Sequence, residues 1–168
     1  MVAADNQPFP NFTAQENQGK DLFLTPPVFD ASSNRIGGGL GCQGCHAAPE
    51  FDIDPNTGNN GVIGILNAPG IDINITRAPS LRNLLNASGT PNTPMMHTGN
   101  FETLQNVLGH YGKINLVPGN TRLDPRLRPN GIGQQLNLNA TEVQAVVAFI
   151  KTLTGSAVYN DVKWSDPF

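Results

Sequence analysis

The sequence predicts a mainly α-helical single domain, with long Gly-, Pro- and Asn-rich loops between a few helices. Three observations carry this. A capped helical pattern stands near each end of the chain. The 168 residues include 18 glycines and 14 prolines, yet only 14% are charged and 7% aromatic, which describes a loop-rich globular protein rather than a disordered one at 38% hydrophobic residues. The stretch Gly41-Cys42-Gln43-Gly44-Cys45-His46 holds both cysteines. So small a core suggests that something other than side chains fills the interior.

Thr13-Ala14-Gln15-Glu16 fits a capping box and opens a helix to about Phe23, ahead of Pro26-Pro27. Gly19 within it costs about 1 kcal/mol against alanine, and close approach of another helix is the expected reason. Asn139 or Thr141 caps the strongest helix, with Val143, Val146, Val147, Ile150 and Leu153 at helical spacing, Gly155 as its stop and Phe149 able to meet Leu22 or Phe23. Ala78-Pro79-Ser80-Leu81 reads as a third helix start carrying Leu81, Leu84 and Leu85. A fourth helix is expected from about Phe101 to Tyr111, burying Leu104, Leu108 and Tyr111. Segments 24–41, 47–76 and 112–137 read as loops, with at most a short ribbon around Val62–Leu66 and Ile71–Ile75. Loops of that length in a compact domain are usually functional or wrap something. Residues 1–12 read as an N-terminal extension and 13–168 as one domain.

A net charge of −3 with scattered Lys and Arg argues against a nucleic-acid surface, and no apolar run approaches the roughly 20 residues needed to cross a bilayer. MVAADNQPF has neither a basic n-region nor an apolar h-region, so it does not read as a signal peptide.

Three chemistries suit two cysteines three positions apart with a histidine beside the second. A Cys42–Cys45 disulfide closes a tiny loop and stabilises little, and redox-active CxxC motifs sit in a βαβ setting this chain lacks. Zinc needs four ligands, where Cys42, Cys45 and His46 supply at most three. Haem c needs two thiols to add to its two vinyl groups and an imidazole to reach iron, and CxxCH supplies all three. The motif therefore points to one covalent haem c on Cys42 and Cys45, with His46 as proximal ligand. Attachment requires an oxidising compartment and export machinery, so an exported, periplasmic or cell-envelope location is expected.

The helix bearing Gln18-Gly19-Lys20-Asp21-Leu22-Phe23 and the one spanning Thr141 to Leu153 resemble the first and last helices of a class I cytochrome c. Thr76-Arg77-Ala78-Pro79-Ser80-Leu81-Arg82-Asn83 and Pro94-Met95-Met96-His97-Thr98-Gly99-Asn100-Phe101-Glu102-Thr103-Leu104 resemble the paired motifs of the bacterial dihaem cytochrome c peroxidase and MauG family. The match is to its C-terminal haem domain, from about residue 13 to Phe168. The resemblance implies a cytochrome c-like helical domain around one haem c, with Arg77 and Arg82 near its propionates and His97 as a haem-edge or proton-handling group. Fourteen residues on from the family's HDG histidine stands a methionine in the peroxidases and a tyrosine in MauG-type enzymes; His97 plus fourteen is Tyr111. Tyr111 is thus the first choice for distal ligand, with Met96 or Met95 as rivals and His110 behind them. Calcium is a further family cofactor, for which Pro94 matches one carbonyl position and Asn92 approximates another.

Two departures shift the function implied. Family enzymes carry two CxxCH motifs and this chain has one, and Thr98 replaces the usual aspartate. A lone C-terminal domain reads as an electron-transfer unit working with a redox partner protein or fused domain. The alternative is a peroxidase or MauG-like oxidase domain acting on hydrogen peroxide.

Overall fold

The computed structural model describes residues 7–52, 58–74, 78–86 and 88–155. Helix α1 (Ala14–Leu24) starts at the expected capping box: Thr13 Oγ1 accepts from the Glu16 N–H at 3.2 Å, and the Glu16 carboxylate accepts from the Thr13 N–H at 2.6 Å. Helix α3 (Ala140–Thr152) starts the same way, with Asn139 as cap and Glu142 returning the bond. It stops at Thr152, short of Gly155, whose N–H goes to the Asn83 side chain.

These two helices form the main packing unit, and Gly19 is where they meet. A Cβ added there would lie 1.9 Å from the Ala145 carbonyl oxygen. Phe23 and Phe149, both buried, stack beside this contact with ring centroids 5.2 Å apart, and Phe12 and Phe51 close over Phe149. Helix α2 (Leu104–Gly112), capped by Thr103, sends Leu104 and Leu108 into the same core, alongside Leu85, Met95 and Leu136. A satellite cluster of Ile114, Leu123 and Leu127 sits at the other end of α2, under Tyr111. Residues 7–12 lie along α1, where Asn17 bonds both the N–H and the carbonyl of Phe9.

The expectation of a mainly α domain is corrected. Among the described residues there are three α-helices, short 3-10 turns and two two-stranded antiparallel sheets. In segment 24–41, read as loop, β1 (Pro27–Phe29) pairs with β2 (Arg35–Gly38). Their turn is set by the Asp30 carboxylate, which accepts from the N–H groups of Ser32 and Asn34 at 2.9 and 2.8 Å, a side-chain mimic of a backbone turn. The ribbon expected around residues 62–75 exists in shorter form, as β3 (Gly64–Ile65) against β4 (Ala68–Ile71). The helix expected after Pro79 does not form among the described residues. Its backbone is claimed elsewhere: Leu81 N–H bonds the Phe51 carbonyl, Leu84 C=O accepts from Asn92, and Asn83 takes a left-handed φ of 54°. Leu85 is still buried, reaching the core from a bridge with Pro91 rather than from a helix.

Gly19→Ala tests the helix crossing. Alanine gains about 1 kcal/mol of helix propensity, but its methyl group meets a backbone carbonyl that moves only if α3 moves. Overpacking of this kind costs about 1–3 kcal/mol, so the melting temperature should fall by roughly 2–4 °C per kcal/mol of net loss. An unchanged or raised melting temperature would show that the helices separate freely.

Candidate functional site

The Cys-Gln-Gly-Cys-His loop hangs from the end of α1. Leu40 N–H bonds the Leu22 carbonyl at 2.7 Å and Gly41 N–H the Thr25 carbonyl at 2.9 Å, so the loop leaves along the helix terminus. Gly41 is left-handed at φ 68°, and a Cβ on it would lie 2.7 Å from the Pro27 ring, so this turn requires glycine. From Gly41 the chain enters a 3-10 turn, Cys42–Gly44, and the N–H groups of Cys45 and His46 both return to the Cys42 carbonyl. This brings two unpaired thiols and the imidazole within one turn of backbone.

The thiols are not thiolates. Burial pushes Cys42 up to about 12. Burial also raises Cys45, opposed by the Arg126 charge and reinforced by that of Asp124. A redox-active CxxC thiolate needs the opposite shift, and among the described residues no group of three or more His, Cys, Asp or Glu is placed to hold a metal ion. Burial lowers the pKa of His46, against the carbonyls of Phe51 and Pro79 and the charge of Asp52, so the ring is largely neutral at pH 7. Its Nδ1 lies 3.0 Å from the Phe51 carbonyl, which can only accept, so Nδ1 donates there. Half-buried, neutral sulfurs and an imidazole oriented through Nδ1 are a donor set that would fit a covalent haem c.

The distal candidates converge on Asn60, which the sequence analysis did not single out. Tyr111 sits in the last turn of α2, held there by Gln134, whose amide donates to its carbonyl at 2.7 Å. Burial pushes its phenol up to about 12, the Asn60 side chain bonds to it, and Cys42 and Cys45 lie near enough to oppose its ionisation. Met96 Sδ accepts from Asn60 Nδ2 at 3.2 Å. His110 Nε2 donates to the Asn60 carbonyl at 2.8 Å, and its ring packs edge-on to Tyr111 and Phe101. Met96 is itself left-handed, at φ 63°, a conformation costing a non-glycine residue on the order of 1 kcal/mol or more.

Asn60 is fixed by its neighbour. Asn59 is fully buried, exchanges amide bonds with Asn120 at 2.7 and 2.9 Å, and pairs its backbone with Arg122 and Asp124. Asp124, also buried, accepts from Gly58 N–H at 2.9 Å and from the Arg126 backbone and guanidinium at 2.8–2.9 Å. The same guanidinium donates to the Gly44 carbonyl, inside the cysteine loop. Asp124 and Arg126 thus join the Asn60 segment to the thiols; the only sequence signal for them was Asp124-Pro125, an N-cap followed by proline.

The other expected residues fall elsewhere. Arg82 is exposed, donates to the Pro49 carbonyl at 2.6 and 2.8 Å and pairs with Glu50 at 3.4 Å. His97 is exposed, with Nε2 3.0 Å from the Gly64 carbonyl. Met95 is core. Thr98 is buried, with Oγ1 lacking a hydrogen-bond partner among the described residues. Asn92, proposed near calcium, gives its amide to the Asn83 carbonyl, and Pro94 is exposed. Arg77 lies outside the described residues. No helix among the described residues is long and apolar enough to cross a membrane.

Asp124 makes the site sensitive to acid. Burial alone would raise its pKa, but the Arg126 side chain and the N–H groups of Arg126 and Gly58 more than offset that and hold it below the ordinary 3.8. Its stabilisation is complete above 3.8 and is lost as pH falls through the lower folded value. Chemical denaturation of wild type and Asp124→Asn should show a stability gap that is constant near neutrality and narrows below pH 3.8. A gap independent of pH would show that the carboxylate charge is not what holds the segments.

No family model matches the chain, and no curated protein matches it. Among solved structures, the chain is similar to a MauG-like protein associated with microbial copper homeostasis, at 24% identity and a TM-score of 0.62. The match covers 99% of this chain and 55% of that one, so the chain spans about half that structure's length. Its fold is that of part of a MauG-like protein.

Proposed function

We propose that the chain is a mono-haem c-type cytochrome domain that transfers electrons, with haem c attached through Cys42 and Cys45. The observation that carries this reading is the joint placement, within one turn of backbone, of two neutral, half-buried thiols and an imidazole oriented through Nδ1, with the Tyr111 phenol within electrostatic range of both thiols. The fold likeness to part of a MauG-like protein supports it. When bound, haem c supplies a one-electron iron couple within reach of the surface.

The chain's own residues hold and orient. Gly41 and the Cys42–Gly44 turn set the spacing of the two sulfurs, and Arg126 keeps the Gly44 carbonyl in place. Phe51 fixes the His46 ring and raises its basicity toward a metal, as second-sphere carbonyls do. Tyr111 is the distal ligand in this reading, because the phenol faces the thiols while His110 is committed to the Asn60 carbonyl. The domain acts in an exported compartment, where covalent attachment takes place, with a redox partner protein or a fused domain supplying and removing electrons. The peroxide-handling alternative draws on the same distal group: were Tyr111 to leave, Asn60 and His110 would line an open, polar position.

Protein produced with the attachment machinery should show, after acid denaturation, the polypeptide mass plus one haem, and Cys42→Ser with Cys45→Ser should abolish it. Tyr111→Phe should change the ferric spectrum and open the iron to cyanide. Haem released into solvent by the denatured wild type would overturn covalent attachment. Peroxide turnover by the wild type that saturates with electron donor would favour the enzymatic reading over the carrier.

A further inference from the structure

Exposed apolar side chains gather beside the distal segments. Ile65, Leu66 and Ile71 stand on the β3–β4 hairpin, and Leu116 and Val117 on the loop after α2, each 40–56% exposed. The two stretches meet at Gly119, where an added Cβ would lie 3.8 Å from Ile71 Cδ1. Every residue of 64–71 and 115–119 is exposed and none is charged; Asp72 and Lys113 stand just outside. Both stretches run out of the distal segments: the hairpin begins four residues after Asn60, and Leu116 stands five after Tyr111. The Gly64 carbonyl lies 3.0 Å from His97 Nε2, which ties the hairpin to the turn closed by the Gly99 N–H on the Met96 carbonyl. Apolar side chains scattered singly over a surface carry no message, whereas a contiguous uncharged group marks a contact face. Five partly covered side chains offer on the order of a few hundred Å² per copy, whereas a stable complex buries about 1,200–2,000 Å² in all. That is the size of a transient redox encounter and too little for a permanent dimer. With no charge in the face, salt neither steers nor screens the encounter.

Resting on the haem reading above, we propose that this face is where a redox partner protein docks, and that the partner presents an apolar, uncharged face of like size. One electron passes from the reduced partner to the oxidised domain, or the reverse, across the hairpin and the 115–119 loop; no bond forms or breaks. The encounter is held by burial of apolar side chains rather than by opposite charges.

The test uses the haem-loaded protein, and the probe is a second copy of the chain, whose face has the stated character. Electron self-exchange is read from line broadening in NMR spectra of mixed ferric and ferrous protein. The wild type should stay monomeric and exchange at a rate that changes less than about twofold between low and high salt. Leu66→Lys/Ile71→Lys sets like charges opposite one another and should slow exchange roughly tenfold or more at low salt, recovering in part at high salt. Leu66→Glu/Ile71→Glu should be slow in the same way. A mixture of the two variants, one of them isotope-labelled, should exchange faster than either alone, which a merely damaged fold would not do. Ile36→Lys, 68% exposed on the β1–β2 hairpin, should leave the rate unchanged. Leu66→Lys and Leu66→Glu alone replace the double variants if those take up no haem. The proposal is overturned by wild-type exchange too slow to broaden the lines, by exchange untouched by the lysines, by equal slowing from Ile36→Lys, by a mixture no faster than its components, or by a stable wild-type dimer. Failure of every Leu66 variant to load haem also overturns it, because the face would then be structural. A wild type without covalent haem defeats the underlying reading instead.

Discussion

The buried carboxylate of Asp124 is the constraint on which the site's geometry rests. Its two oxygens receive the Gly58 N–H on one side and the Arg126 backbone and guanidinium on the other. Arg126 then reaches the Gly44 carbonyl, and the Asp124 N–H bonds the Asn59 carbonyl. Three stretches far apart in sequence are thereby held together: the cysteine loop, the Gly58–Gly61 segment and the stretch from Asn120 to the 3-10 turn Pro125–Leu127. A buried charge is tolerable only when its acceptor positions are filled, and here the groups that fill them belong to the segments that must be aligned.

The electrostatics of the two thiols follow from that arrangement. Burial raises the Cys45 pKa most, with Arg126 lowering it and Asp124 raising it. At Cys42 burial again dominates. A redox-active CxxC motif does the reverse, keeping an unbalanced positive charge beside an exposed sulfur. Neutral sulfur is also what a thioether requires, because after covalent attachment there is no charge left for the protein to solvate. What keeps both thiols neutral is thus chiefly their burial, which the CxxCH spacing alone does not reveal.

How far the sequence was legible depended on whether a feature was local. Thr13 with Glu16 and Asn139 with Glu142 are read correctly because a capping box is closed within four residues. Gly19 was legible because a glycine in a helix interior signals close approach, and the Ala145 carbonyl is that approach. The helix expected after Pro79 failed for the opposite reason: the donors and acceptors of Leu81 and Leu84 are claimed by Phe51 and Asn92, partners that no local pattern names. The hairpin Pro27–Gly38 was overlooked because its turn is made by the Asp30 side chain within a run that reads only as loop. Within the site, CxxCH spelled out the thiols and the imidazole, whereas Asn60, Asp124 and Arg126 act only through contacts with distant segments.

The distal side shows how such contacts settle what spacing leaves open. Tyr111, Met96 and His110 come from two segments, and spacing from His97 put Tyr111 first while leaving the others open. In the folded chain they differ by what each has already given up. His110 has bonded its Nε2 to a carbonyl, and an imidazole donating from Nε2 presents only Nδ1 to a metal. Met96 has engaged its sulfur and holds a left-handed backbone. Tyr111 has its carbonyl fixed by Gln134, its phenol bonded by the Asn60 side chain and its ring set on Ile114, Leu123 and Leu127. A metal ligand held by its body, with its donor atom turned toward the site, loses little conformational freedom on binding. Under the haem reading proposed above, that packing suits Tyr111 to the distal position on grounds independent of its place in the sequence.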